Sequence, residues 1–268
     1  MNQEVQQRLN GLTPDKTRFS ISDVLNEAWE LFGKVALYAV FATLLYFFLS
    51  TIVTMVLGMI FPVDQTEIQI LLESDRLDLE SLQEAFVDQF NQTNYKLTVI
   101  ANFLLASLLY PIMFGVVYLA YKRDQKQVIA FGDIFYAYKN GLFLKSFTLS
   151  MLSIVFMYIG FSLCFVPGFV LSALMMLSVP FALFTNLDAL QAIKASFRVT
   201  TKNFSGFIGM LFLMVLILIV GFLVCIVGLL AAYPLIYIIM YVLYKKIIGF
   251  EIIENANFFE TEIKNPYQ

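Results

Sequence analysis

Apolar stretches long enough to cross a bilayer recur along this chain, separated by shorter polar segments. A membrane-spanning helix takes about 20 mostly apolar residues. The first run, 35–61, contains no charge over 27 residues. Thirty-four mostly polar residues precede it, too many for a cleaved signal peptide. Further runs occupy 97–121, then 142–165 and 169–187 divided at Pro167-Gly168, then 204–226 and 229–244 divided near Gly228. The pattern predicts an all-α integral membrane protein, a single membrane domain over 1–268 with six transmembrane helices.

The polar segments have their own periodicity. In 1–34, Ile21, Val24, Leu25, Ala28, Leu31 and Phe32 fall on one helical face, with Asp23, Asn26, Glu27 and Glu30 opposite and Trp29 at the edge. Ser20 and Asp23 are spaced for a capping box. In 188–203, Leu190, Ile193 and Phe197 share one face, and Gln191, Lys194, Arg198 and Lys202 the other. With 122–141, these segments read as amphipathic helices in the headgroup plane. They act either as cuffs that orient the following helix or as surfaces that recognise lipid or a partner.

A threefold repeat underlies the pattern. Tyr110-Pro111, Tyr118, Tyr121 and Lys122 match Tyr233-Pro234, Tyr241, Tyr244 and Lys245 at the same offsets, and Pro180 lies at a comparable depth. Asp133 precedes Pro180 by 47 residues and Asp188 precedes Pro234 by 46, while Asp23 precedes Pro111 by 88. The predicted unit is therefore an interfacial amphipathic helix plus a helical hairpin, used three times, with about 40 residues inserted in the first copy. Proline removes an N–H and frees the carbonyl four residues back. Pro111, Pro180 and Pro234 are thus expected as kinks, static or hinged. Tyr118, Tyr121, Tyr241 and Tyr244 are expected, with Trp29, Lys194, Arg198 and Lys202, as interfacial anchors.

Composition narrows the function. Apolar residues make up 60% of the chain and charged residues 14%, against about 25% charged in soluble domains. There is no His, which removes the commonest general base and zinc ligand. Two Cys, Cys164 and Cys225, allow at most one disulfide, and equivalent placement in two repeats reads equally as inherited packing. The net charge of −3 gives no general attraction for nucleic acid. Fifteen of the 17 Lys and Arg fall in 1–34, 122–145, 194–202 and 245–268. The positive-inside rule then places both termini in the cytoplasm, including the tail 245–268.

No Asp, Glu, Lys, Arg or His is predicted deep in a span, and Lys145 sits at an edge where it would snorkel. Intramembrane charges ordinarily mark proton relays and ion paths. Their absence argues against a proton-coupled transporter or an intramembrane hydrolase and leaves no catalytic, cofactor or metal residues to name. Asn102, Ser107, Ser150, Ser153 and Ser172 are expected as helix glue. The outer segment 62–96 carries eight acidic and two basic residues. Asp64 and Glu67 could cap a short helix bearing Ile68, Leu71 and Leu72, and Leu79, Leu82, Phe86 and Phe90 suggest a second. This segment either packs over its own helix ends or offers a docking surface or lid.

Val166-Pro167-Gly168, Pro180-Phe181-Ala182, Asp188, Ala192, Ser196 and Thr201-Lys202-Asn203 resemble the YciC-like uncharacterised bacterial inner-membrane proteins. They are also similar to the membrane domain fused to some glycerophosphoryl diester phosphodiesterases. The resemblance implies a six-helix bundle in the bacterial cytoplasmic membrane and no catalytic residues, since the soluble phosphodiesterase domain is missing. Two functions stay open. One is a non-enzymatic membrane protein that interacts with membrane lipid, serves membrane homeostasis or scaffolds a protein partner through 62–96 or the interfacial helices. The other is a permease, or the membrane subunit of a transporter, for an apolar or lipid-like substrate.

Overall fold

The computed structural model describes residue 9 and residues 11–73, 79–139, 141–163 and 165–249, with Cys225 and Ile226 described by backbone alone. Among the described residues there is no strand. The α-helices are α1 (Ile21–Ile60), α2 (Thr66–Glu73), α3 (Leu79–Asn91), α4 (Thr93–Leu109), α5 (Pro111–Asp124), α6 (Leu142–Leu163), α7 (Phe165–Leu174), α8 (Ser178–Phe184), α9 (Ala189–Thr200), α10 (Phe204–Leu223) and α11 (Cys225–Ile247). Short 3-10 helices lie at Asp15–Thr17, Phe131–Tyr138 and Thr201–Asn203. Among the described residues, six helical stretches are long and apolar enough to cross a membrane, and the chain is a multi-pass membrane protein. Contacts group the described part of Met1–Leu45 and Tyr110–Gln268 into one compact unit and Tyr46–Leu109 into another.

In the larger unit, α5, α8 and α11 pack against one another and supply the most buried side chains. Pro111 to Ala120 are all buried, as is every residue of α8. The apolar windows of the second, fourth and sixth spans are 61, 61 and 56% buried, against 17, 22 and 22% for the first, third and fifth. The proline-bearing helices are therefore inside. The straight ones present Leu37, Leu144, Phe212 and Phe222 outward, an arrangement stable against hydrocarbon and costly against water. Gly115 permits part of this packing, because a Cβ there would run into the Ile134 backbone carbonyl of the 3-10 helix. Gly160 faces Gly168, and Gly221 faces Gly228, so two hairpins close on glycine.

Several boundaries differ from the hydropathy pattern. No break marks residue 34: α1 carries the amphipathic N-terminal part straight into the apolar run. Ser20 Oγ does accept the Asp23 N–H at 3.3 Å. α6 ends at Leu163 and α7 begins at Phe165, so Pro167 lies in the first turn of α7. Its missing N–H costs nothing there. Gly228 likewise lies inside α11, beyond the junction at Val224. Cys164, Arg76 and residues 250–268 of the tail lie outside the described residues.

The three prolines have three outcomes. Pro111 opens α5 just after α4 ends. Pro234 sits inside the continuous α11. Pro180 lies in α8, beyond a break over 175–177 between α7 and α8. The three aspartates differ as well. Asp188 caps α9 by accepting the Gln191 N–H at 2.8 Å. Asp133 reaches back to the Ala130 N–H at 2.7 Å and pairs with Lys122 at 3.0 Å. Near Asp23, the capping group is Ser20 instead.

In the smaller unit, Asp64 accepts the Thr66 N–H at 3.0 Å ahead of α2, which lowers its pKa by stabilising the charged carboxylate. The Gln92 amide bonds the Asp64 backbone in both directions at 3.1 Å, and Asn94 donates to the Pro62 carbonyl at 2.9 Å. Both helices expected in 62–96 form. Leu79, Phe86 and Phe90 on α3 are exposed, and Ala85 is its one buried residue.

Candidate functional site

A cavity of about 280 Å³ lies within the larger unit. Its walls come from α6 (Ser153, Met157), α7 (Ser172), the break (Met175, Met176), α8 (Ser178, Val179), α10 (Leu211, Met214, Val215, Leu218) and α11 (Tyr233, Ile236, Tyr237, Met240), with Tyr110. No charged residue lines it.

Pro180 shapes this wall. It cannot donate to the carbonyl of Met176, and its ring disfavours helical continuation. The backbone tightens ahead of it: Met176 N–H bonds the Ala173 carbonyl at 3.3 Å and Ser178 N–H bonds that of Met175 at 2.9 Å. That leaves the Leu174 carbonyl and the Leu177 N–H without helical partners. Ser196 of α9 takes both, accepting the Leu177 N–H at 3.1 Å and donating to the Leu174 carbonyl at 2.6 Å. Thr200 Oγ1 adds a longer bond to Leu174 at 3.4 Å. At the far end of α8, Lys145 donates to the Thr185 carbonyl at 2.6 Å. Lys145 therefore caps an inner helix rather than snorkelling to water, because a terminal carbonyl of α8 lies within its reach.

The polar groups of the cavity fall into two sets. Tyr237 packs edge-on against both Tyr110 and Tyr233, with ring centroids 6.3 and 5.7 Å apart, so the two tyrosines preceding Pro111 and Pro234 meet through a third. Ser172 donates to its own helix at Gly168 (2.8 Å) and approaches the Met157 sulfur at 3.4 Å. Ser178 is 1% exposed, and its hydroxyl has no hydrogen-bond partner.

A groove of about 550 Å³ shares Tyr110, Ser153 and Met157 with this cavity and continues along α6 past Ile154, Tyr158, Phe161 and Ser162. Tyr158 is 67% exposed there, so the groove leads from the cavity to the outer face of the unit. A second groove, of about 670 Å³, runs between Leu25, Asn26, Trp29 and Glu30 of α1, Leu216, Ile217 and Val220 of α10, and Leu235 of α11.

The residues expected to anchor the interface are placed differently. Tyr241 and Tyr244 are fully buried and Tyr118 nearly so. Tyr118 stacks on Tyr136 at 3.5 Å, Tyr121 lies against Phe184, and Tyr244 meets Phe181 edge-on at 5.2 Å. Tyr118, Tyr241 and Tyr244 are core residues riding on inner helices, and Tyr121 packs beside them. Trp29 is exposed and borders the second groove. Lys194 and Arg198 are exposed on α9. Lys202 instead donates to the carbonyls of Leu9 and Leu12, tying down the N-terminal segment. Ser107, Ser150 and Asn102 bond carbonyls of their own helices, so the bonds they make do not join helices.

Charges gather at one end of the inner helices. Lys245 bridges Glu27 at 2.9 Å and Asp124 at 2.8 Å, Lys246 meets Glu27 at 2.7 Å, and Tyr241 donates to Asp124 at 2.8 Å. Burial works to raise the Glu27 pKa, but the bonds from Lys246 and Lys245 outweigh it and hold the carboxyl below its ordinary value. Among the described residues, no group of three or more His, Cys, Asp or Glu is placed to hold a metal ion.

Sequence reasoning flagged Tyr110 and Tyr233 as repeat markers and Ser153 and Ser172 as glue, but assigned none of them to a cavity. It passed over Ser178, Tyr237 and the lining methionines, whose only signal was proximity to Pro180 or Pro234. No family model, curated protein or solved structure matches the chain.

Proposed function

We propose that this multi-pass protein is a non-enzymatic lipid-interacting protein of the bacterial cytoplasmic membrane that takes a lipid-like molecule between its helices. The observation that carries the reading is the uncharged cavity joined at Tyr110, Ser153 and Met157 to a groove reaching the outer face of the bundle. Such a route admits an apolar molecule from the bilayer sideways, without passage through water. Methionine walls adapt to an irregular hydrocarbon. The distribution of Lys and Arg supports cytoplasmic termini, and the quoted residues support kinship with the YciC-like proteins and three copies of one unit.

A permease for an apolar substrate uses the same route. The break over 175–177 favours it to the extent that it gives one cavity wall a discrete joint. Scaffolding through α3 or α9 has exposed surface in its favour, but it gives the cavity no role.

The test is native mass spectrometry of the full chain released from mild detergent. The expected result is one retained lipid-like molecule per chain, lost in Ser153→Phe, which blocks the shared mouth, while the melting temperature changes little. Absence of bound lipid in the unsubstituted protein, or its full retention in Ser153→Phe, would refute the reading.

A further inference from the structure

Resting on that reading, the cavity also specifies the chemical class of its occupant. We infer that it takes an uncharged single-chain amphiphile whose hydroxyl or carbonyl end hydrogen-bonds Ser178.

Four observations converge on this. First, no lining residue is Asp, Glu, Lys or Arg, so a charged headgroup would be desolvated with nothing to pair it. Second, about 280 Å³ lies at the low end of the roughly 300–1,000 Å³ of small-molecule sites, which gives the cavity itself room for one hydrocarbon chain. Third, Ser172 engages the Gly168 carbonyl of its own helix, whereas Ser178 Oγ is buried in the wall without a partner. A buried hydroxyl left unsatisfied is costly, and a ligand that pairs it recovers that cost. Fourth, the hydrocarbon chain of such a molecule meets Met157, Met175, Met176, Met214 and Met240, side chains that repack around varied shapes.

Ser178 can act in either sense, as donor to a carbonyl or acceptor from an alcohol. Its position follows from the proline break: its backbone N–H turns to Met175, and the residue lines the cavity with its hydroxyl unpartnered.

The experiment uses the full chain in mild detergent and three probes of equal chain length: a medium-chain fatty alcohol, the corresponding alkane and the corresponding alkylammonium. Binding is read by native mass-spectrometric titration. The alcohol binds one per chain and about three- to tenfold more tightly than the alkane, the range of one hydrogen bond, and the alkylammonium shows no saturable binding. Ser178→Ala weakens alcohol binding by that same factor and leaves the alkane unchanged. Removing an unpaired buried hydroxyl does not lower the melting temperature of the empty protein, so the variant is a clean comparison. Equal affinity for alcohol and alkane, or an unchanged affinity in Ser178→Ala, overturns this inference and leaves interior lipid binding standing. Saturable binding of the alkylammonium at the alcohol's affinity overturns the uncharged class. Failure of all three probes, together with no retained lipid, overturns the inference and the proposed function alike.

Discussion

Replacing Ser196 by Ala removes the side chain that bonds both open backbone groups in the fourth span. Two buried backbone groups lose their partner at once. The Leu177 N–H, bonded at 3.1 Å, has no substitute and bears the full cost of a buried unsatisfied group, about 1–3 kcal/mol. The Leu174 carbonyl, bonded at 2.6 Å, loses less, because Thr200 Oγ1 remains 3.4 Å away. The expected destabilisation is therefore about 2–4 kcal/mol. Ser150→Ala is the control: it is equally buried, but its hydroxyl bonds only the Ser146 carbonyl of its own helix at 2.9 Å. That carbonyl keeps its helical partner, and the loss should stay below about 1 kcal/mol. Reversible unfolding in mixed micelles, followed by circular dichroism, measures both. Equal destabilisation by the two substitutions would refute the idea that α9 completes the broken helix.

Gly115→Ala should destabilise the same bundle by about 1–3 kcal/mol, since the new Cβ meets the Ile134 carbonyl, backbone that cannot swing aside; Gly33→Ala, with nothing near its Cβ, should be neutral or stabilising in the same unfolding assay. Glu27 gives a pH dependence. Its pKa in the folded protein lies below the ordinary value of 4.5, so its contribution to stability is present above that value and is lost as pH falls through the lower one. Unfolding midpoints of the unsubstituted protein should drop on acidification below 4.5, and Glu27→Gln should flatten part of that drop.

The amino-acid pattern by itself determined the solvent of this protein and the number of its crossings. Six apolar runs with so few charges leave a bilayer as the environment in which they stay folded. Local chemistry was equally legible where partners are a few residues apart: Ser20 with Asp23 at the start of α1, Asp64 ahead of α2, and the amphipathic stretch of α3. What hydropathy could not determine is which apolar residues face lipid and which face one another, because both surroundings are hydrocarbon. Tyr118, Tyr241 and Tyr244 carry the signature of an interfacial belt and are core residues, since the helices that hold them are inner ones. The turns shifted for a similar reason: Pro167 and Gly228 signal breaks, yet a proline is tolerated in a helical first turn and a glycine in a close hairpin. The cavity depended wholly on tertiary structure. Pro180 announced an interrupted helix, but Ser196 completes its break and Tyr110 joins the cavity wall from separate parts of the chain, and only packing decides that the Ser178 hydroxyl is left without a partner.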